Sequence, residues 1–95
     1  MTIKYNVILS TKFKKDYKRC LKAGLNMIEL AQVVHLLECG EPLPAKYKDH
    51  ALKGDLIGTR ECHIQPDWLL IYKINDGDLI LTLVRTGSHA QLFGM

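Results

Sequence analysis

Three of the four histidines, His50, His63 and His89, fall in the second half of this 95-residue chain, in the company of Asp67, Trp68, Arg85 and Phe93. RNA can be cut without a metal if its own 2′-hydroxyl is deprotonated, the crowded phosphorane is stabilised, and the 5′-oxygen leaves with a proton. That reaction needs a base, a cation and an acid. Imidazole suits both proton roles, because an unperturbed pKa of about 6.5 lets either form exist at neutral pH. Guanidinium suits the phosphate, because it is a fixed and permanently charged fork. His50, His63 and His89 are therefore the candidate acid and base, with Asp67 able to orient a neighbouring imidazole or raise its pKa and Arg85 to brace the nonbridging oxygens. Trp68 and Phe93 are aromatics placed to stack on a splayed base, a contact worth about 1–3 kcal/mol. Trp68 also opens an apolar strand and serves equally well as core, and Phe93 as a C-terminal anchor.

The elements that must bring these residues together are three strand-like stretches over 58–64, 68–74 and 78–85. Turn signals separate them at Gln65-Pro66-Asp67 and Asn75-Asp76-Gly77. In an up-down-up meander the end of the first strand, the start of the second and the end of the third share one edge, which carries His63, Asp67, Trp68 and Arg85. His89 follows four residues later. Upstream, Ile3, Tyr5, Val7 and Leu9 alternate as a first strand. Ser10-Thr11 then offers a helix cap, with Phe13, Tyr17, Cys20 and Leu21 at helical spacing and Lys12, Lys15, Lys18, Arg19 and Lys22 mostly opposite. Asn26 caps a second helix with an apolar stripe of Met27, Leu30, Val34 and Leu37, ended by Gly40. From 41 to 57 no periodicity survives, because Pro42 and Pro44 break the helix and Gly54 allows a sharp turn. A loop this long in so small a domain is more often functional than incidental. The order gives one α+β domain over 1–95 with both helices on one sheet face.

Composition adds limits. With 47% hydrophobic and 24% charged residues the chain suits a single small globular core. The overall charge of +3 hides an asymmetry: up to Gly24 there are seven basic side chains against Asp16 alone, a net +6, so the remainder sums to −3. Such a basic block suits a polyanion, and Lys14, Lys15, Lys18 and Lys22 are the candidate phosphate contacts, although lysines on a solvated helix face need no partner. No apolar run reaches the roughly 18–20 residues that cross a bilayer, and the N-terminus lacks a signal peptide's pattern, so a cytoplasmic protein with no membrane association is expected. Cys20, Cys39 and Cys62 lack any C-x-x-C spacing and are expected as reduced, buried thiols. His35 lies within the second helix and is set aside as structural. Three histidines and an aspartate could bind zinc, but spacings of 13 and 26 residues match no short ligand motif, and no metal or other cofactor is expected.

The run Leu43-Pro44-Ala45-x-Tyr47-Lys48-Asp49-His50-x-Leu52, then Gly58-x-Arg60-x-x-His63-Ile64-x-Pro66-Asp67-Trp68-x-Leu70-Ile71-Tyr72-Lys73, then Arg85-Thr86-Gly87-Ser88-His89-Ala90-x-Leu92-Phe93-Gly94, closely resembles the YafQ-type toxins of the RelE/ParE toxin–antitoxin superfamily. The specific motifs lie in the last 53 residues, and the similarity before them is architectural. The resemblance implies an N-terminal strand, two antiparallel helices, a three-stranded antiparallel meander completing one sheet, and a short C-terminal helical turn. It implies a ribosome-dependent endoribonuclease that cuts mRNA, is silenced by a cognate antitoxin of the DinJ/RelB kind in a heterocomplex, and uses His89 as general acid. The base stays open among His50, His63 and Asp67. Arg60 matches a family position and is a weaker substrate contact. Ser88 stands where threonine is common, and Met95 extends the usual ending. The alternative is a non-enzymatic relative, such as a gyrase-directed toxin, which has no need of acid–base histidines.

Overall fold

Side-chain caps set where the helices start. In the computed structural model, which describes residues 2–94 and so leaves Met95 outside, Ser10 Oγ accepts from Phe13 N (2.9 Å) and opens α1, Thr11–Lys22. Asn26 Oδ1 accepts from Ile28 N (3.1 Å) and opens α2, Met27–Glu38. Before them lies β1, Asn6–Leu9. After them come a short β2, His50–Ala51, and the meander of β3, Arg60–Gln65, β4, Trp68–Asn75, and β5, Ile80–Gly87. The chain ends in α3, His89–Phe93. The segment 41–57 holds 3-10 turns at Ala45–Tyr47 and Gly54–Leu56 as well as β2, none of which has a periodic signal.

These strands make one five-stranded sheet in the order β1-β5-β4-β3-β2. β1 runs parallel to β5 and the remaining pairs are antiparallel. Cys62, Ile64, Leu70, Tyr72, Leu81 and Leu83 face Phe13, Leu30, Val33 and Leu37 of the two helices in one core, as a sheet with helices on a single face requires. Three details of the expected helix and strand faces are corrected. On α1 the inward positions are Phe13, Asp16 and Cys20, while Tyr17 and Leu21 are exposed. On α2 Val33 is buried and Val34 only packs at the margin. On β1 Val7 and Leu9 are exposed and Tyr5, just before the strand, is buried, because β1 is an edge strand.

The inward acid on α1 has a structural task. β1 ends at Leu9, opposite Leu83, so the last residues of β5 lack a strand on that side. Helix α1 supplies the missing partners. Ser10 N donates to Leu83 O (3.0 Å) and Ser10 Oγ to Val84 O (2.6 Å). Thr86 N donates to Asp16 Oδ2 (3.2 Å), and Arg19 Nη2 to Thr86 O (3.2 Å). The cap residue and side chains of α1 thus continue the ladder past the end of β1, which satisfies groups that would otherwise be buried and unpaired.

Candidate active site

His63 and Glu61 are two residues apart on β3 and so project from the same face of the strand. His50 sits opposite Glu61 in the β2–β3 pair. Glu61 is 5% exposed, and its Oε1 lies 3.2 Å from His63 Nε2 and 3.7 Å from His50 Nε2. The other nitrogen of His50, Nδ1, is 2.8 Å from Lys48 O. A carbonyl only accepts, so Nδ1 carries the proton and both His50 nitrogens face acceptors. Lys48 presents that carbonyl from a left-handed conformation (φ 51°) that a lysine seldom adopts.

The third histidine arrives from α3. Gly87 carries the chain from β5 into that helix with φ 154°, where a Cβ would come within 2.8 Å of both Arg19 Nη2 and Gln91 Oε1. Ser88 then forms a capping box with Gln91, a role a threonine hydroxyl would fill as well. His89 begins the helix with its backbone N donating to Asp67 Oδ1 (3.0 Å) and its ring Nδ1 at 2.7 Å from the same oxygen. These two bonds, backbone first, hold the exposed Asp67 carboxyl below its ordinary pKa. An ionised carboxylate has no proton to give, so Nδ1 is the donor and Nε2 is left for other partners. The ring centroids of His63 and His89 are 5.7 Å apart and those of His50 and His63 are 6.2 Å apart. Phe93 is half-buried on α3, one helical turn beyond His89.

Arg85 lies opposite Ile71, which lies opposite Glu61, so it shares the histidines' sheet face two strands away, about 10 Å at usual strand spacing. Its side chain is anchored: Nε donates to Asp16 Oδ2 (2.7 Å) and Nη2 to Asp16 Oδ1 (3.2 Å). The hydrogen bond to Asp16 raises the Arg85 pKa further, so its charge is permanent, and Nη1 is the nitrogen this pair does not use. Burial alone would raise the Asp16 pKa, but the Arg85 and Thr86 hydrogen bonds and the charges of Arg85 and Arg19 bring it below the usual carboxylate value.

Two expected substrate contacts are corrected. Trp68 is 2% exposed within the core and donates Nε1–H to Thr86 Oγ1 (3.0 Å), so it has no face to offer a base. Arg60 points to the opposite side of β3 from Glu61 and His63, as strand alternation demands. There it pairs with Asp49 through Nε (3.3 Å) and Nη2 (3.1 Å), and Asp49 also accepts from Tyr72 OH (2.5 Å). Lys14, Lys15, Lys18 and Lys22 are all exposed on α1, away from the histidines' strands. His35 is half-exposed beside Glu38 and outside the group. The three cysteines are buried, and burial pushes the Cys62 thiol up to about 12, which keeps it unreactive. Glu61 is the participant that motif reading missed. Its signal is the Glu61-x-His63 alternation on a strand. His50, Glu61 and His63 each offer one donor atom within 4.8 Å of the others, a set able to hold a metal ion that the sequence spacings did not suggest.

Residues 5–94 match the family model described as bacterial toxin of type II toxin–antitoxin system, YafQ. The mRNA interferase toxin YafQ of Escherichia coli K12 is 43% identical over 93 residues, covering 97% of this chain and 99% of that protein. The fold is similar to the toxin in the crystal structure of the E. coli DinJ–YafQ toxin–antitoxin complex, with a TM-score of 0.88 at 43% identity over 97% of this chain and all of that one. It is also similar to a metal-bound toxin from Helicobacter pylori, with a TM-score of 0.89 at 47% identity over 94% of this chain and 99% of that one.

Proposed function

The chain belongs to the YafQ family of bacterial type II toxin–antitoxin toxins, and from that premise we propose that it is an mRNA interferase whose histidine face cuts ribosome-bound message without a metal. The observation that carries this reading is the Asp67–His89 contact at 2.7 Å, set 5.7 Å ring to ring from a histidine that Glu61 engages through Nε2 at 3.2 Å. His89 is the general acid: Asp67 holds Nδ1, and the imidazolium's Nε2–H protonates the departing 5′-oxygen. The base is the Glu61-linked pair, in which His63 or His50 takes the 2′-hydroxyl proton while the buried carboxylate stabilises the imidazolium that results. Attack of the 2′-oxygen on phosphorus then leaves a 2′,3′-cyclic phosphate. Arg85 braces a nonbridging oxygen through Nη1, held in aim by Asp16, and Phe93 stacks on a displaced base.

The partners follow from the same premise. The E. coli relative is crystallised with DinJ, and a DinJ-like antitoxin is the expected partner of this chain. Lys14, Lys18 and Lys22 recur every fourth residue with Lys15 alongside, a basic stripe suited to ribosomal RNA phosphates.

His89→Ala tests the proposal in two measurements on one purified variant. Ribosome-dependent cleavage, followed by primer extension, is expected to fall by about 10²- to 10⁴-fold, the usual contribution of a general acid. Antitoxin affinity is expected to stay close to wild type. Wild-type cleavage by the variant removes His89 from the mechanism, and undiminished toxicity without cleavage favours a binding toxin. A metal-dependent reading has one specific support, the His50, Glu61 and His63 donor set. Cleavage that stops under zinc-specific chelation and returns with zinc would establish it in place of the metal-free route.

A further inference from the structure

Asp49 stands just before β2, whose first residue is His50, and the two side chains reach to opposite faces of the sheet. His50 meets Glu61 on the face away from the helices, while Asp49 reaches over β3 to the helix side. There Tyr72 OH (2.5 Å) and Arg60 Nε (3.3 Å) donate to Asp49 Oδ1, and Arg60 Nη2 (3.1 Å) donates to Oδ2. Arg60 and Tyr72 are cross-strand partners on β3 and β4, so one carboxylate is tied to two strands. Tyr72 is 1% exposed in the core and is a fixed point. Burial, and after it the hydrogen bond to Asp49, pushes its phenol above the ordinary pKa, so it remains a donor. The hydrogen bond to Asp49 likewise raises the pKa of Arg60 and keeps it charged.

β2 by itself is weakly held. It is two residues long, lies at the edge of the sheet and pairs with β3 only at His50–Glu61 and Ala51–Arg60. Both of its residues are exposed, so packing adds little to hold it. The residue before Asp49 is under strain as well. Lys48 has φ 51°, and such a conformation persists only where its surroundings maintain it. Lys48 N donates to Ala45 O (3.0 Å) on one side, and the anchored Asp49 follows on the other.

We propose that Asp49 is a positioning residue for His50, pinning the 48–50 segment so that the Lys48 carbonyl holds Nδ1–H and Nε2 stands ready as the accepting nitrogen; the inference rests on the nuclease reading above. In a neutral imidazole a proton on Nδ1 leaves Nε2 as the acceptor that a base needs. Lys48 O lies 2.8 Å from His50 Nδ1, and Glu61 Oε1 lies 3.7 Å from Nε2, where it steadies the imidazolium once the proton has been taken. Arg60 thereby acquires a task on the far side of the sheet from the reaction, as part of the anchor that aims a histidine.

Asp49→Ala and Asp49→Asn test this beside wild type and His50→Ala, in single-turnover cleavage of ribosome-bound message, with thermal unfolding to check that each variant is folded. Ring tautomers are read from long-range ¹H–¹⁵N correlation spectra of the free toxin at about pH 8, where an unperturbed imidazole is neutral. Asp49→Ala is expected to slow cleavage about 10- to 100-fold, the scale of a misplaced reacting group. With His50→Ala already in place it is expected to add less than about twofold, because a residue that acts through another has nothing left to act on. Asp49→Asn keeps an acceptor for Tyr72 but turns an N–H toward Arg60, and its rate is expected to fall between. The wild-type His50 ring is expected to carry its proton on Nδ1, and the variants' rings to move toward the Nε2–H form that free histidine favours, with His89 unchanged. A folded Asp49→Ala that cleaves at the wild-type rate overturns the inference, as does an equal loss in the His50→Ala background or a His50 signal that the substitution leaves unmoved. If Asp49→Ala does not fold, Asp49→Asn carries the same three comparisons. Absence of cleavage by wild type would remove the nuclease reading instead, and the ring signals alone would then decide whether Asp49 orients His50.

Discussion

Replacing Asp16 by asparagine keeps the shape of the α1–β5 junction and removes its charge. Asp16 is 3% exposed at its side chain and accepts from Arg85 Nε (2.7 Å), Arg85 Nη2 (3.2 Å) and Thr86 N (3.2 Å), with Arg19 Nη1 at 3.1 Å. Asparagine has one acceptor oxygen, and its amide would set N–H against an arginine N–H. Breaking a buried ion pair costs about 3–5 kcal/mol, and each hydrogen bond to a charged group about 1.5–3 kcal/mol. The arginines are 24% and 40% exposed and recover part of their hydration, which lowers the expected loss to about 2–3 kcal/mol. Against a total of roughly 5–14 kcal/mol for a chain of this length, that is a melting temperature about 10 °C lower or more. Urea and thermal unfolding followed by circular dichroism at pH 7 give both numbers. The folded pKa of Asp16 is depressed, so its contribution is present above the unfolded value of 3.8 and disappears as pH falls through the lower folded value. The gap between wild type and variant should therefore be constant near neutrality and narrow below about pH 4. A loss under about 0.5 kcal/mol at pH 7, or a gap that does not shrink in acid, would refute the view that α1 holds the end of β5 and Arg85 through this carboxylate.

Glu61→Gln is expected to slow single-turnover cleavage by about 10²-fold without changing the fold, since it removes the charge shared by His50 and His63; an unaffected rate would exclude Glu61 from the base. Trp68→Phe should cost about 1–3 kcal/mol in urea unfolding through the lost bond to buried Thr86, yet leave message binding unchanged, and a selective loss of RNA affinity would reinstate stacking. Reversing Lys14, Lys15, Lys18 and Lys22 to glutamate should weaken ribosome association and flatten its salt dependence while the urea midpoint holds, and wild-type binding at moderate salt would make the stripe a solvated face only.

Local chemistry made much of this molecule legible before any coordinates. Ser10 and Asn26 cap the helices they were expected to cap, and the two turn signals bracket β3, β4 and β5, because caps and turns are settled within a few residues. The meander's connectivity alone brought His63, Asp67 and His89 to one end of the sheet. Period-two alternation, however, says only which residues share a face, not which face the helices cover. The face of β3 away from the helices carries Glu61 and His63, while Arg60 is turned into the pair with Asp49, and Trp68 enters the core instead of meeting substrate. The two-residue β2 has no pattern to detect, since it forms only because β3 offers an edge, yet it is what sets His50 opposite Glu61. Asp16 looked like the one acid in a basic helix. Only the packing of α1 beside β5, where β1 has already ended, makes it the carboxylate that holds Arg85, because a buried charge is tolerated only where partners from elsewhere in the chain converge on it.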